Sequence, residues 1–217
     1  MKKDFNGYKA LILAAGLSTR MKSFKPLLPL GDKTIIEQTI SRFLQAGLEK
    51  SDILVVIGRK AEELAPVLSK HGVSYVINDR YETSDMFYSI QLGLKELSEP
   101  LEGVLLSPGD IPLIKAGTIT SLLEERKRSY FNIIIPSFNN RRGHPILLGK
   151  EIISAVASYN GKDGMHGFLK EQKNYIHYIN VQDEYMLMDL DKPEDYERAL
   201  KIYSEVKERG GELNEGN

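Results

Sequence analysis

The chain has 217 residues, enough for one sizeable α/β domain and short for two. Its hydrophobic content of 41%, charged content of 27% and formal net charge of -1 are those of an ordinary globular protein, with no overall attraction to nucleic acid or to a membrane surface. The absence of cysteine excludes disulfides, thiolate metal sites and a thiol nucleophile. We therefore expect any anion to be bound by a local cluster of positive groups.

The amino-terminal residues do not have the pattern of a targeting segment. The apolar run in "MKKDFNGYKALILAAG" is short and ends in a turn that contains glycine. We find no stretch of about 18 apolar residues that would span a membrane. These features predict a cytoplasmic monomer with neither a membrane nor a nucleic-acid partner.

The first two thirds of the chain alternate strand and helix signals. Five short runs rich in β-branched residues lack polar alternation, as buried parallel strands do. They are Tyr8–Leu13, Asp52–Gly58, Val73–Ile77, Glu102–Ser107 and Asn132–Ser137. The amphipathic segments between them are "TIIEQTISRFLQAG", "KAEELAPVLSKHG", "DMFYSIQLGLKEL" and "AGTITSLLEERKR". This alternation predicts a mostly parallel sheet with helices on both faces.

The alternation breaks after Arg141. The pattern predicts a strand at "HPILLG", a helix at "EIISAVASY" and an edge or antiparallel strand at "YIHYINV". A last helix, "KPEDYERALKIYSEVKERGG", opens with Pro193 in its first turn, and residues 210–217 are expected to be frayed. Without an internal repeat or a low-complexity linker, residues 1–217 are predicted to form a single domain.

Ligands of open α/β sheets bind at the carboxyl ends of the strands, so the loops at those ends are the first places to look for chemistry. These loops are "AAGLSTRMKSFK", "GRK", "NDRYETSDM" and "SPGDIPLI". In the first, Ala14, Ala15 and Gly16 leave backbone N–H groups open to an anion. Arg20 and Lys25 can then bind phosphate oxygens. The same residues are also compatible with a basic turn that is exposed to solvent and binds no ligand. The spacing matches neither the Walker loop nor the dinucleotide-binding fingerprint, which argues against a nicotinamide-dependent oxidoreductase.

The segment "LAAGLSTRMKSFKPLLPLGDKTIIEQTI" closely resembles the nucleotide-binding signature of the MobA-like NTP transferases, and within them the molybdenum-cofactor cytidylyltransferases. The resemblance continues in "SPGDIPLI", "RRGHPILLGKEI" and "MDLDKPEDYERAL", so four motifs in order cover almost the whole chain. One position departs from the pattern, because Lys22 stands where the family usually has glycine.

This resemblance implies a Rossmann-like three-layer α/β/α nucleotidyltransferase fold. It implies transfer of a nucleoside monophosphate to a phosphate-bearing acceptor with release of pyrophosphate, assisted by Mg²⁺ or Mn²⁺. The expected substrates are CTP and a molybdopterin-type acceptor, and a molybdenum hydroxylase is the implied recipient of the product. Relatives that transfer GMP have glycine at the position of Ala15, which favours CTP over GTP. The alternatives are a sugar-phosphate or other small-phosphate nucleotidyltransferase and a non-catalytic nucleotide-binding regulator.

Candidate site residues follow from the motifs and the resemblance together. The predicted catalytic residues are Arg20, Lys25, Asp110 and His144. The predicted nucleotide-binding residues are Leu13, Ala14, Ala15, Gly16, Arg20, Lys25, Asn78, Ser84 and Asp110. The predicted metal ligands are Asp110 and one or both of Asp189 and Asp191.

Each of these candidates also has a structural interpretation. Asp110, Asp191, Ser84 or the neighbouring Asp85 can cap a following helix, because such residues are common at helix starts. Asp189 and Asp191 would share one side of an extended segment, where two carboxylates can share a metal. The resemblance places His144 near the acceptor, whereas a histidine beside proline can also serve only as a partner of the backbone.

Overall fold

The computed structural model describes residues 5–17, 21, 23–97, 101–129 and 131–208. The strands within these ranges are β1 Tyr8–Ala14, β2 Pro29–Leu30, β3 Lys33–Thr34, β4 Ile53–Ile57, β5 Ser74–Ile77, β6 Gly103–Pro108, β7 Ile133–Phe138, β8 Arg141–Arg142, β9 Ile146–Gly149 and β10 Ile176–Asn180. The helices are α1 Ile35–Gln45, α2 Ala61–Lys70, α3 Met86–Glu96, α4 Ala116–Arg128, α5 Lys150–Ser158, α6 Gly164–Glu171 and α7 Pro193–Glu208. The five predicted strands of the first part of the chain are all present, with ends within one residue of the prediction.

The large sheet has the strand order β10-β7-β9-β6-β1-β4-β5, with β8 paired to β7. β1 runs parallel to both β4 and β6, β4 is parallel to β5, and β7 is parallel to β10. Only β9, among the long described strands, runs antiparallel to both of its neighbours. The mostly parallel sheet is confirmed, and β10 is an edge strand that pairs in parallel.

Helices cover both faces of the sheet. One apolar core contains Phe43 of α1, Leu64 of α2 and Ile119 of α4. The core on the other face contains Ile90 of α3 and Phe168 of α6. The three-layer α/β/α fold is therefore confirmed. Within the described part of the chain, no helix combines the length and the apolar composition that crossing a membrane requires.

The last helix packs beside a small hairpin formed by β2 and β3 rather than on the large sheet. A third apolar cluster joins Leu30, Ile35, Leu113 and Leu190 to Ala199 of α7. The hydroxyl of Tyr196 donates to the carbonyl oxygen of Pro29 at 2.5 Å. This packing carries the segment that precedes α7 back to the carboxyl end of β6.

Candidate active site

A cleft of about 420 Å³ opens at the carboxyl ends of β1, β5 and β6. Its walls contain every predicted nucleotide-binding residue that the structure describes, together with residues from the loop after β5. The lining residues are Leu13, Ala14, Ala15, Gly16, Leu17, Lys25, Pro26, Asn78, Tyr81, Ser84, Asp85, Met86, Ser89, Pro108, Gly109, Asp110 and Asp191. Three of the four motifs of the resemblance and the loop after β5 thus meet in one concave site, although they are far apart in the chain.

The loop after β1 forms one wall of the cleft. A Cβ atom added to Gly16 would meet no atom of the residues that the structure describes within 4 Å, so the backbone at Gly16 is open to a ligand. Neighbouring connections hold two carbonyl groups here. The carbonyl of Leu13, near the end of β1, accepts from the N–H of Gly109 at 2.8 Å, and the carbonyl of Leu17, in the loop, accepts from the guanidinium of Arg59. Arg20 and Lys22 lie outside the described residues.

Lys25 links the loop after β1 to two carboxylates. Its Nζ donates to Oδ2 of Asp110 at 2.5 Å and to Oδ1 of Asp191 at 3.1 Å. Burial alone would lower the pKa of Lys25, but the two carboxylates outweigh it and raise the pKa above its ordinary value. The ammonium group therefore stays charged, and its two anionic partners come from the middle and from the last part of the sequence.

Asp189 is close to both carboxylates but does not line the cleft. Desolvation of its carboxylate and the negative charges of Asp110 and Asp191 raise its pKa to about 6, although more than a third of the residue's surface is open to solvent. The N–H of Asp191 donates to the carbonyl of Asp189 at 3.0 Å, so these residues form a turn and not the extended segment that we expected. Of the two, Asp191 is the one that lines the cleft.

The packing around Leu190 explains why these acids converge. Leu190 is fully buried beside α7, and its N–H donates to the carbonyl of Asp110 at 3.2 Å. The residue immediately before α7 is Lys192, whose N–H donates to the side chain of Asp195 at 2.9 Å. The carboxylate of Asp191 meanwhile accepts from Lys25, which brings it beside Asp110.

The acidic pair fits a divalent cation that is also held by a nucleotide. Asp110 and Asp191 both lie within bonding distance of the single ammonium group of Lys25, so they form a position that accepts positive charge. Mg²⁺ typically binds one or two carboxylates together with substrate phosphates and water. Among the described residues, no group of three or more histidine, cysteine, aspartate or glutamate side chains is arranged to hold a metal unaided.

Asn78 ties together the opposite wall of the cleft. It is buried, and its Nδ2 donates to Oγ of Ser84 at 3.1 Å and to Oγ of Ser89 at 2.9 Å. Its Oδ1 accepts from the N–H of Arg80 at 2.9 Å. Asp85 caps α3 by accepting from the N–H of Tyr88 at 2.9 Å. Asn78 and Ser84 thus border the cleft while they hold the loop after β5 in shape.

His144 lies near Asp110 but outside the lining of the cleft. Burial lowers the pKa of its imidazole, and the charge of Asp110 only partly offsets this. Its backbone N–H donates to the carbonyl of Met186 at 3.3 Å, and its peptide bond to Pro145 is cis. Its Nδ1 is buried without a hydrogen-bond partner in the described part of the structure. The imidazole is therefore neutral and retains one polar atom for a further contact.

Several residues of this region are missing from our list of candidate site residues, among them Tyr81, Met86 and Arg59. Tyr81 and Met86 line the cleft, and Met86 is 64% exposed. Arg59 holds the carbonyl of Leu17 from outside the lining. All three belong to the strand-end loops or to the helix start beside them, so the position of these loops in the fold was the available signal.

The mostly parallel sheet lies between two layers of helices and has a cleft at its carboxyl edge. This is the architecture of a nucleotidyltransferase-type α/β protein. The chain belongs to the MobA-like NTP transferase family, whose domain matches residues 10–175.

Comparison with known proteins gives similar sequences and structures over nearly the full length. The chain is 25% identical, over 196 residues, to the molybdenum cofactor cytidylyltransferase of Escherichia coli K12, covering 90% of this chain and 97% of that protein. Its structure is similar to a nucleotidyl transferase from Methanothermobacter, with a TM-score of 0.78 and 22% identity over 93% of this chain and 99% of the other. It is also similar to a Mycobacterium tuberculosis H37Rv protein solved in complex with manganese, with a TM-score of 0.72 and 21% identity over 89% and 97% of the two chains.

Proposed function

We propose that the protein transfers CMP from CTP to the phosphate of a molybdopterin-type acceptor and releases pyrophosphate. In this reaction an acceptor phosphate oxygen bonds to the α-phosphorus of CTP, and the bond from that phosphorus to the pyrophosphate oxygen breaks. The observation that carries the proposal is the position of Lys25 and the Asp110–Asp191 pair in the same cleft as the open loop after β1.

The residues of this cleft suit a reaction that depends on positioning and charge neutralisation. The open backbone around Gly16 would receive the triphosphate, and Lys25 would place its charge against the phosphate oxygens. Asp110 and Asp191 would hold a divalent cation, Mg²⁺ or Mn²⁺, which when bound neutralises negative charge on the leaving pyrophosphate. His144 would contact the acceptor through its free nitrogen. No covalent intermediate on the protein is needed.

The choice of CTP and of a molybdopterin-type acceptor has two supports. The Escherichia coli K12 relative carries that activity in its name and aligns over 90% of this chain. Ala15 also lines the cleft, and we expect its methyl group to leave less room for a purine than for a pyrimidine. Two alternatives compete with this proposal. One is a nucleotidyltransferase that uses a sugar phosphate as the acceptor, and the other is a regulator that binds a nucleotide without turnover.

A matrix of substrates tests the proposal directly. CTP, GTP and ATP are each combined with molybdopterin and with common sugar phosphates in the presence of Mg²⁺, and pyrophosphate release is measured. We expect the fastest release from CTP with molybdopterin, and release about 100-fold to 1,000-fold slower from the Asp110→Asn variant. Asp79→Asn on the exposed surface is the control. Faster release with a sugar phosphate would contradict the acceptor, and nucleotide binding without any release would contradict the enzymatic function.

A further inference from the structure

The connection between β4 and α2, made of Gly58, Arg59 and Lys60, is built against the loop after β1. A Cβ atom on Gly58 would lie 2.9 Å from the carbonyl oxygen of Ala15 and 2.7 Å from Cβ of Tyr81, so only glycine allows this approach. Lys60 has a left-handed φ of 56°, and the next N–H returns to the carbonyl of Gly58 at 3.1 Å. The tight turn directs the Arg59 guanidinium to the Leu17 carbonyl.

We propose that Arg59 is a positioning residue for the nucleotide. A carbonyl oxygen that faces the cleft would repel a triphosphate, whereas one held by a guanidinium from outside the cleft does not. Leu17 lines the cleft and Arg59 does not, so Arg59 draws this oxygen outward while its positive charge stays near the phosphates. The inference rests on the proposed nucleotide-binding function but concerns a residue that the motifs do not include.

Nucleotide affinity and steady-state kinetics of Arg59→Ala test this role. Loss of a charge-assisted hydrogen bond typically costs about tenfold in affinity, so we expect the Kd and the KM for CTP to rise about tenfold. We expect kcat and the melting temperature to change little, and Arg59→Lys to restore part of the affinity. The control is Lys70→Ala, which removes the same charge from the exposed far end of α2.

The outcomes separate this inference from the proposed function. An unchanged CTP affinity in Arg59→Ala, or an equal loss in Lys70→Ala, overturns the positioning role while the transferase activity stands. A selective loss of CTP binding in a protein that shows no turnover supports the positioning role and contradicts the enzymatic function. If the wild type binds no nucleotide, both are overturned.

A separate observation concerns the place that Lys25 occupies. Its ammonium group lies between Asp110 and Asp191, which are the residues that would hold a divalent cation. The side chain of Lys25 is only 14% exposed, so its ammonium group is held within the cleft and not at the outer surface. The carboxylate pair cannot accept a metal at the same point while the ammonium group remains there, because two cations would repel each other.

We infer that Lys25 and the metal ion compete for the two carboxylates until a nucleotide arrives. The triphosphate offers Lys25 a new anionic partner, and the flexible four-carbon stem of lysine allows the ammonium group to move there. Nucleotide binding therefore opens the carboxylate pair to the metal, and by linkage the metal strengthens nucleotide binding by the same factor. This inference also rests on the proposed function.

Binding of Mn²⁺ alone, measured by electron paramagnetic resonance, tests the competition without any turnover. We expect the wild type to bind Mn²⁺ weakly, and Lys25→Met to bind it about tenfold more tightly. Addition of CTP should tighten Mn²⁺ binding in the wild type more than in Lys25→Met, while Lys70→Met behaves as the wild type. Lys25→Gln repeats the measurement if the methionine variant does not fold.

Equal Mn²⁺ affinity in the wild type and in both Lys25 variants would overturn the competition, whatever the substrate matrix shows. Tight binding of Mn²⁺ to the wild type without nucleotide would overturn it as well. A substrate matrix that shows no transfer, combined with tighter Mn²⁺ binding in the Lys25 variants, would contradict only the enzymatic function.

Discussion

The two parts of the chain reach the same edge of the sheet by different routes. Up to α4, strands and helices alternate and every long strand is parallel to its neighbours from this part. Beyond α4, β9 runs antiparallel between β6 and β7. The chain reaches the cleft again at the turn formed by Asp189 and Asp191 before α7. Apart from Asp191, all residues that line the cleft come from the first part.

This difference indicates that the two parts contribute different groups to the candidate site. The first part supplies open backbone, Lys25 and Asp110, which suit a triphosphate. The second part contributes Asp189 and Asp191, whose turn is held against the first part by the hydrogen bond from Leu190 to Asp110, and His144, which lies near Asp110. We therefore expect substitutions in the first part to reduce activity with every acceptor. Substitutions in the second part should selectively change the Mg²⁺ requirement or the KM for the acceptor.

The largest effect is expected for Asp110, where the two parts meet. Asp110→Asn keeps the shape of the side chain but removes the charge shared by Lys25 and the cation, so kcat should fall about 100-fold to 1,000-fold. Pyrophosphate release across a Mg²⁺ titration measures this, with circular dichroism to show that the fold survives. Wild-type activity at every Mg²⁺ concentration would exclude Asp110 as a ligand.

A smaller effect should distinguish the two acids before α7. Asp191 lines the cleft and contacts Lys25, so Asp191→Asn should raise the Mg²⁺ requirement about 30-fold, within the range seen when metal sites lose a supporting group. Asp189 neither lines the cleft nor forms a hydrogen bond with Lys25 among the described contacts, so Asp189→Asn should change the Mg²⁺ requirement much less. The reverse ranking would show that Asp189 is the ligand.

Asp189 should also differ from Asp191 in its effect on stability. An acid whose pKa is about 6 when folded and about 3.8 when unfolded opposes folding above both values, and this cost disappears as the pH falls from 6 towards 4. Asp189→Asn should therefore raise the melting temperature of the metal-free protein at pH 7.5 by about 1–2 °C after solvent screening. Melting curves from pH 7.5 to pH 4.5 test this, and a gain that does not shrink in acid would contradict it.

The sequence predicted the first part of the chain better than the second for a physical reason. A continuous run of apolar residues such as β4 predicts a buried strand from its own composition. Because helices precede and follow it in the chain, its parallel pairing can also be predicted. The direction of β10 depends on its partner β7, which its own residues do not encode. The eight-residue α6 contains Gly164 and Gly167 and is stabilised by packing of Phe168, so its local signal is weak.

The site shows the same limit. Small residues after a strand made the cleft wall around Ala15 predictable. The turn at Leu190 depends on a hydrogen bond to Asp110, and the role of Arg59 depends on the carbonyl of Leu17, so neither could be read from local sequence.

A prediction for the second part concerns the acceptor. His144 has a buried, unpartnered Nδ1 and lies beside Asp110, so His144→Ala should raise the KM for the acceptor about tenfold and leave the KM for CTP nearly unchanged. The control is His166→Ala, which removes an exposed imidazole from α6. Equal losses for both substrates, or none, would place His144 in a purely structural role.

The smallest effect is expected at Ala15, within the first part. Ala15 lines the cleft, but its side chain also packs in the core below α3, so removal of the methyl group should widen the cleft only slightly. One methyl group in a pocket changes discrimination by about 1–3 kcal/mol, and partial burial in the core places Ala15 near the low end. We expect the wild type to prefer CTP over GTP, and Ala15→Gly to reduce the ratio of their kcat/KM values about fivefold. Ala14→Gly is the matched control, because Ala14 also lines the cleft but its side chain packs in the core on the opposite face of the sheet. Steady-state kinetics with CTP, GTP and ATP measure the effect. Equal changes in both variants would indicate a loosened loop, and a wild-type preference for GTP would refute the choice of base.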